Sequence, residues 1–86
     1  MKWFVYYLYS QKRNIFYIGK TNNLARRIKE HNNGNELFTK TGTPWKLIAY
    51  IELNNSVESS RMETKLKKTK NKKYQEWFFT KYGKTV

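Results

Sequence analysis

An α/β (α+β) fold, with a small three-stranded antiparallel sheet flanked by helices in the order β-β-α-β-α-α, is expected from three observations on this 86-residue chain. Two aromatic and β-branched runs near the N-terminus are separated by a polar turn, which signals a hairpin. A third run, residues 45–52, alternates apolar and polar positions. Three further segments have helical spacing, two of them preceded by asparagines able to cap them.

The elements follow in order. Trp3-Phe4-Val5-Tyr6-Tyr7-Leu8-Tyr9 reads as the first strand, Ser10 to Asn14 as the turn, and Ile15 to Ile18 as the second strand. Gly19 then lets the backbone bend or come close to another group. Thr21, Asn22 or Asn23 caps a helix running to about Asn32, and Asn33-Gly34-Asn35 ends it in a left-handed turn. A polar loop over 35–44 closes at Gly42-Thr43-Pro44. In the third strand Trp45, Leu47, Ala49 and Ile51 share one face by alternation. Asn55 and Glu58 have capping-box spacing, opening a helix from about Val57 to Thr69. Its buried side carries Met62 and Leu66 with Glu63 beside them, while Arg61, Lys65 and Lys68 point outward. Tyr74, Trp77, Phe78 and Tyr82 form one face of a last helix ending at Gly83. No linker or repeat interrupts the chain, so residues 1–86 are read as one domain.

Composition narrows the chemistry. Without cysteine there is neither a disulfide framework nor a thiolate zinc site. One histidine and an acidic set made only of glutamates disfavour a multi-ligand metal cage. The core has to come from three Trp, seven Tyr and five Phe. A net charge of +12, spread over both halves, calls for a polyanion, most often nucleic acid. An acidic membrane fits less well, because no lysine-rich helix has an uninterrupted apolar face. The N-terminal apolar run is too short and tyrosine-rich for a signal peptide or a span, so a cytoplasmic location is expected.

The densest functional signal lies in residues 16–31. Arg27 and His31 stand one turn apart on the side that also carries Leu24 and Ile28. Polar groups flanking a buried stripe need a reason, and a phosphate in a cleft is one. Arg26, about 100° around the helix, faces solvent. Tyr6 and Tyr17 lie on the two strands of the hairpin, within reach of that arginine.

Four groups of residues then appear in order: Phe4-Val5-Tyr6; Tyr17-Ile18-Gly19; Leu24, Arg27, Ile28 and His31; and Glu63 within Arg61-Met62-Glu63-Thr64-Lys65-Leu66-Lys67. Together they resemble the GIY-YIG nuclease family in its small standalone, UPF0213-like form, from Trp3 to about Trp77. Two positions depart from the pattern. Phe4 stands where the first motif has glycine, and Asn71 is a loose match to a polar residue that some members place beyond the glutamate.

The resemblance implies a metal-dependent DNA endonuclease that hydrolyses phosphodiester bonds. It implies one divalent ion, Mg2+ or Mn2+, held by Glu63 with water completing the coordination. Arg27 would clamp the scissile phosphate, a task suited to a planar guanidinium. Tyr17 would act as base with Tyr6 supporting it; a free phenol has a pKa of about 10, so this role needs a neighbouring cation. His31 would contact phosphate or relay a proton, or else serve as a packing residue. Lys20, Arg26, Lys29 and Lys40, with Arg27, would form a track for the nucleic-acid backbone. The Lys65–Lys73 cluster either extends that track or is a solvated face, and Trp45 and Trp77 belong to the core.

From spacing alone, ordinary roles are favoured for Glu63, as a solvated partner of lysines, and for the tyrosines, as core residues. A snorkelling Arg27 is the alternative to a phosphate clamp. The resemblance decides for chemistry. With one site per chain, as a monomer or weak dimer, nicking or structure-directed cutting of branched, flapped or single-stranded DNA is expected. The competing reading is a non-catalytic module binding DNA or RNA on the same fold, and a ribosome-associated protein suits the charge as well.

Overall fold

Four consecutive residues of the first strand, Val5 to Leu8, are fully buried, which requires a sheet covered on both faces. The computed structural model, which describes all residues from Met1 to Val86, has that arrangement. Strands β1 (Trp3–Ser10), β2 (Ile15–Thr21), β3 (Trp45–Leu53) and β4 (Lys84–Thr85) form one sheet in the order β2-β1-β3-β4, every neighbouring pair antiparallel. Helix α1 (Leu24–Asn32) covers one face, and α2 (Ser56–Thr69) with α3 (Lys72–Tyr82) covers the other. A single 3-10 turn, Lys40–Gly42, lies in the connection from α1 to β3.

Asparagine opens every helix. Asn23, Asn55 and Asn71 accept from the backbone N–H groups of Arg26, Glu58 and Tyr74 at 3.1, 2.8 and 3.1 Å. Each satisfies a donor that the helix start leaves orphaned. Asn71 is thereby committed to the start of α3. Gly34, with φ +78°, makes the left-handed exit from α1 that the sequence predicts.

Two apolar clusters hold the layers together. On the α2–α3 face, Val5, Tyr7, Ile18, Ala49, Ile51, Leu66, Phe78 and Phe79 are buried. The Tyr7 ring is stacked between Phe16 and Phe79, with centroids 4.7 and 4.8 Å away. On the α1 face the buried set is only Tyr6, Leu8 and Trp45, lined by Leu24 and Ile28.

Three expectations need correction. The sheet has four strands rather than three, because the chain after α3 returns to pair Ala49 with Thr85 and Tyr50 with Lys84. Gly83 permits this return: a Cβ there would run into the Tyr50 carbonyl oxygen. Two exposed residues carry no periodicity from which such a strand could be read.

The apolar positions of β3 do not share one face. The β1–β3 register shifts between Tyr7 and Leu8, so that Tyr7 faces Ala49 while Leu8 faces Leu47, and Ile48 is left over as a bulge. One extra residue reverses the side parity. Trp45 and Leu47 consequently pack on the α1 face, and Ala49 and Ile51 on the opposite one.

The buried stripe of α3 is Gln75, Phe78 and Phe79 rather than the tyrosine–tryptophan stripe. Both have helical spacing, and stacking of Phe79 on Tyr7 selects the former. Trp77, expected in the core, is 49% exposed, while Trp45 is buried as expected. Phe79→Ala should therefore cost about 3–5 kcal/mol of stability in urea unfolding, and Trp77→Ala no more than about 1 kcal/mol. Equal losses would mean that the other stripe faces the sheet.

Candidate active site at the edge of the sheet

The site begins with a glycine. In the hairpin Tyr6 lies opposite Gly19, and a Cβ on Gly19 would overlap the Tyr6 ring carbon Cζ and its hydroxyl. The bare backbone lets the phenol cross β2 and reach His31 on α1. There the Tyr6 hydroxyl lies 2.8 Å from His31 Nε2, and His31 Nδ1 lies 2.7 Å from Thr39 Oγ1. Thr39 is fixed in turn, since its carbonyl accepts from the Trp45 indole N–H at 2.7 Å. Tyr6, His31 and Thr39 are all buried.

Burial, reinforced by the Arg27 charge, lowers the His31 pKa to about 4, so the ring is neutral near pH 7. Burial likewise pushes the Tyr6 phenol up to about 12, with Arg27 opposing the rise. Tyr6 donating to Nε2, and Nδ1–H donating to Thr39, is the arrangement that satisfies all three groups. His31 then has no ring nitrogen left for a phosphate. Its geometry is that of a group positioning Tyr6.

Arg27 is 27% exposed and stands between two carboxylates. Its Nη1 donates to Glu30 Oε1 at 3.2 Å and its Nη2 to Glu36 Oε2 at 2.8 Å. Burial works against the guanidinium charge, but Glu36, Tyr6 and Glu30 outweigh it and hold the pKa above the ordinary arginine value. Tyr17 lies beside this group, its ring centroid 6.4 Å from Tyr6 and 5.2 Å from His31. Burial and the Glu36 charge raise the Tyr17 pKa, with Arg27 pulling the other way. At neutral pH Tyr17 is a phenol.

Since β2 is the edge strand, α2 also reaches Tyr17. Lys67 places its ammonium 5.4 Å from the Tyr17 ring centroid and pairs with Glu63 at 3.5 Å. Glu63 is 20% exposed and lies close enough for its charge to raise both phenols. No group of three or more acidic or histidine side chains is arranged so that it could hold a metal ion together. A single carboxylate, paired only with the Lys67 ammonium one turn away, nevertheless suits a hard divalent ion, which keeps most of its water. The donor set fits such an ion at Glu63.

Tyr6, Tyr17, Arg27, His31 and Glu63 thus meet at one edge of the sheet. Lys20 is drawn to the Ser60 hydroxyl and lies over the Trp3 ring. Arg26, Lys29 and Lys40 are exposed on α1 and the 3-10 turn, Arg26 within 3.9 Å of Glu30. Sequence reasoning missed Glu36, Thr39 and the approach of exposed Lys67 to Glu63 and the Tyr17 ring. The i, i+4 spacing of Glu63 and Lys67 was a signal for the last; the polar loop holding Glu36 and Thr39 offered none.

The family model for the GIY-YIG catalytic domain matches residues 2–75. The chain belongs to the GIY-YIG family. It is 39% identical over 71 residues to UPF0213 protein CPE1444 of Clostridium perfringens, covering 80% of this chain and 76% of that protein. Its fold is similar to the solution NMR structure of UPF0213 protein BH0048 from Bacillus halodurans, with a TM-score of 0.55 and 28% identity over 93% of this chain and 84% of the other. GIY-YIG proteins are in general nucleases that act on nucleic acid with a divalent metal. No helix of this GIY-YIG chain is long and apolar enough to cross a membrane.

The neutral state of His31 has a measurable consequence. Between pH 6.5 and about 4 the unfolded chain binds a proton at this histidine that the folded chain refuses. Its contribution is therefore complete above pH 6.5 and lost as the pH falls toward 4, on the order of 3 kcal/mol in all. Urea midpoints across that window should fall steeply for the native chain and more shallowly for His31→Gln. Parallel slopes would show that His31 takes up its proton in the folded state.

Proposed function

We propose that this chain is a metal-dependent DNA endonuclease that nicks one strand at unpaired or branched structures, with Tyr17, Arg27 and Glu63 as catalytic residues and His31 positioning Tyr6. The observation that carries this reading is the convergence of two phenols, one guanidinium and one semi-buried carboxylate on a chain of charge +12.

Arg27 has a geometry suited to two phosphoryl oxygens, and its charge is stabilising where negative charge develops during attack. To bind there, a phosphate displaces Glu36, which now occupies the guanidinium. That exchange replaces the Glu36 charge beside Tyr17 with the phosphate's own, so Arg27 and a cation at Glu63 would have to favour the phenolate. Glu63 would hold a divalent ion, magnesium or manganese, whose positive charge would favour the phenolate and offset charge on the leaving oxygen. As phenolate, its own proton having gone to solvent, Tyr17 takes the proton of the attacking water. The water oxygen bonds to phosphorus, and the bond to the leaving oxygen breaks, the departing oxyanion taking a proton from solvent. Tyr6, held by His31, orients the water or a phosphoryl oxygen. Exposed Arg26, Lys29 and Lys40 contribute affinity and salt dependence without sequence choice. One site per chain cuts one strand per encounter.

Labelled flapped, branched, nicked and single-stranded DNA, incubated with magnesium or manganese, tests this directly. Glu63→Ala and Arg27→Ala should each reduce cleavage at least about 100-fold while both variants remain folded. Intact binding without cutting by any of the three proteins would leave a binding module in place of an enzyme. Glu36→Gln should bind DNA several-fold more tightly than the native chain in a metal-free titration, because the phosphate no longer competes with a carboxylate. Unchanged or weaker binding would mean that Glu36 positions Arg27 rather than blocking it.

A further inference from the structure

Next to Tyr17 runs a groove of about 570 Å³, within the roughly 300–1,000 Å³ range of small-molecule sites. Aromatic rings of Phe16, Tyr17 and Phe38 line it together with Lys67, Lys70 and Lys72, and no carboxylate does. We propose that this groove is a subsite for one unpaired nucleotide of the DNA strand, adjoining the phosphate that is cut. The proposal rests on the reading above, that the phosphate binds beside Tyr17 and Arg27.

The rings supply stacking surfaces. Phe38 is 58% exposed on the connection after α1, with its ring 5.7 Å from that of Tyr17. An isolated exposed phenylalanine needs no explanation, but this one forms the lip of a groove floored by other rings. Base stacking on such a platform is tolerant of sequence, since every base has a π face.

The lysines supply the complementary charge. Lys67 stands 5.4 Å from the Tyr17 ring centroid and Lys72 5.6 Å from that of Phe16, so both ammonium groups are held at the groove. Lys70 adds an independent observation. It links α2 to α3 in the left-handed conformation, with φ +51°, where glycine would be without strain. A lysine kept at such a position, with its side chain on this groove, is consistent with a charge that binds something. Three cations around aromatic faces match a nucleotide rather than an apolar ligand or an acidic peptide.

Duplex DNA keeps its base faces stacked on one another and cannot enter. A base at a flap, gap or single-stranded end can. The groove would thereby select unpaired DNA at the site, with Phe38 as stacking residue and Lys70 and Lys72 on the phosphates flanking the base.

The test is fluorescence anisotropy in EDTA with a labelled oligothymidine and with a blunt duplex of the same length. Phe38→Ala, Lys70→Gly and the remote control Trp77→Ala are compared with the native chain, alongside thermal unfolding. Phe38→Ala should weaken oligothymidine binding at least about fivefold and duplex binding less than twofold. Lys70→Gly should melt at or above the native temperature and still lose affinity, a combination that a structural role would not produce. Trp77→Ala should bind both DNAs as the native chain does. Equal losses on both DNAs, no loss in Phe38→Ala, or no binding of oligothymidine by the native chain would overturn the subsite. Because these readouts need no metal, they stand apart from the nuclease reading. A native chain that binds as described but never cuts defeats catalysis alone, and one that cuts with Phe38→Ala indistinguishable on every substrate defeats the subsite alone.

Discussion

The close approach of the Tyr6 phenol to the backbone of Gly19 is the constraint on which the rest of the site depends. Only there can a side chain from a central strand pass over the edge strand and meet a helix on the same face. The buried bonds from Tyr6 to His31 and from His31 to Thr39 then tie β1, α1 and the following loop into one unit. Buried polar groups of this kind are costly when half satisfied, so the three side chains specify one another's positions. Helix α1 has few apolar residues to dock with, and this chain of bonds orients it. Arg27, one turn from His31, inherits its place from that docking.

Charge around the site runs against charge on the surface. The chain has six acidic residues, and three of them, Glu30, Glu36 and Glu63, surround Arg27 and the phenols. A basic exterior draws in a polyanion over distance. The local carboxylates keep the arginine rigid and the phenols protonated until a phosphate or a cation changes the balance. The resting electrostatics are those of a site that waits for its ligands, which explains why Tyr17 alone is a poor base.

Much of this was legible in the sequence, and the failures have physical causes. The hairpin and the α1 and α2 boundaries follow from local chemistry. Asn55 caps where its spacing to Glu58 says it should, and of the three candidates Thr21, Asn22 and Asn23 it is Asn23 that caps α1. The meeting of Tyr6, Tyr17 and Arg27 could be read from strand pairing and helix periodicity, while Glu63 came only through family likeness. Alternation failed at Ile48, since a bulge is a property of two strands together and leaves no mark in one. The face of α3 was misjudged because two aromatic stripes satisfy the same period, and only the partner ring of Tyr7 distinguishes them. Glu36 and Thr39 lie in a loop whose conformation is set by what it touches. His31 was visible as an anomaly, but whether it faced a ligand or another side chain depended on packing.

The bulge at Ile48 brings Trp45 and Leu47 to the α1 face, which even so buries fewer apolar side chains than the opposite one. Local opening is cheapest where the fewest apolar side chains are buried. On that principle the α1 side, with Tyr6, Leu8 and Trp45 beneath it, is expected to open before the α2–α3 side. Arg27 and His31 on α1, with Glu36 and Thr39 in the connection after it, lie on that side, and Glu63 and Lys67 on α2. The site is consequently assembled from both faces of the sheet, and a ligand that engages both ties the α1 side to the α2–α3 side.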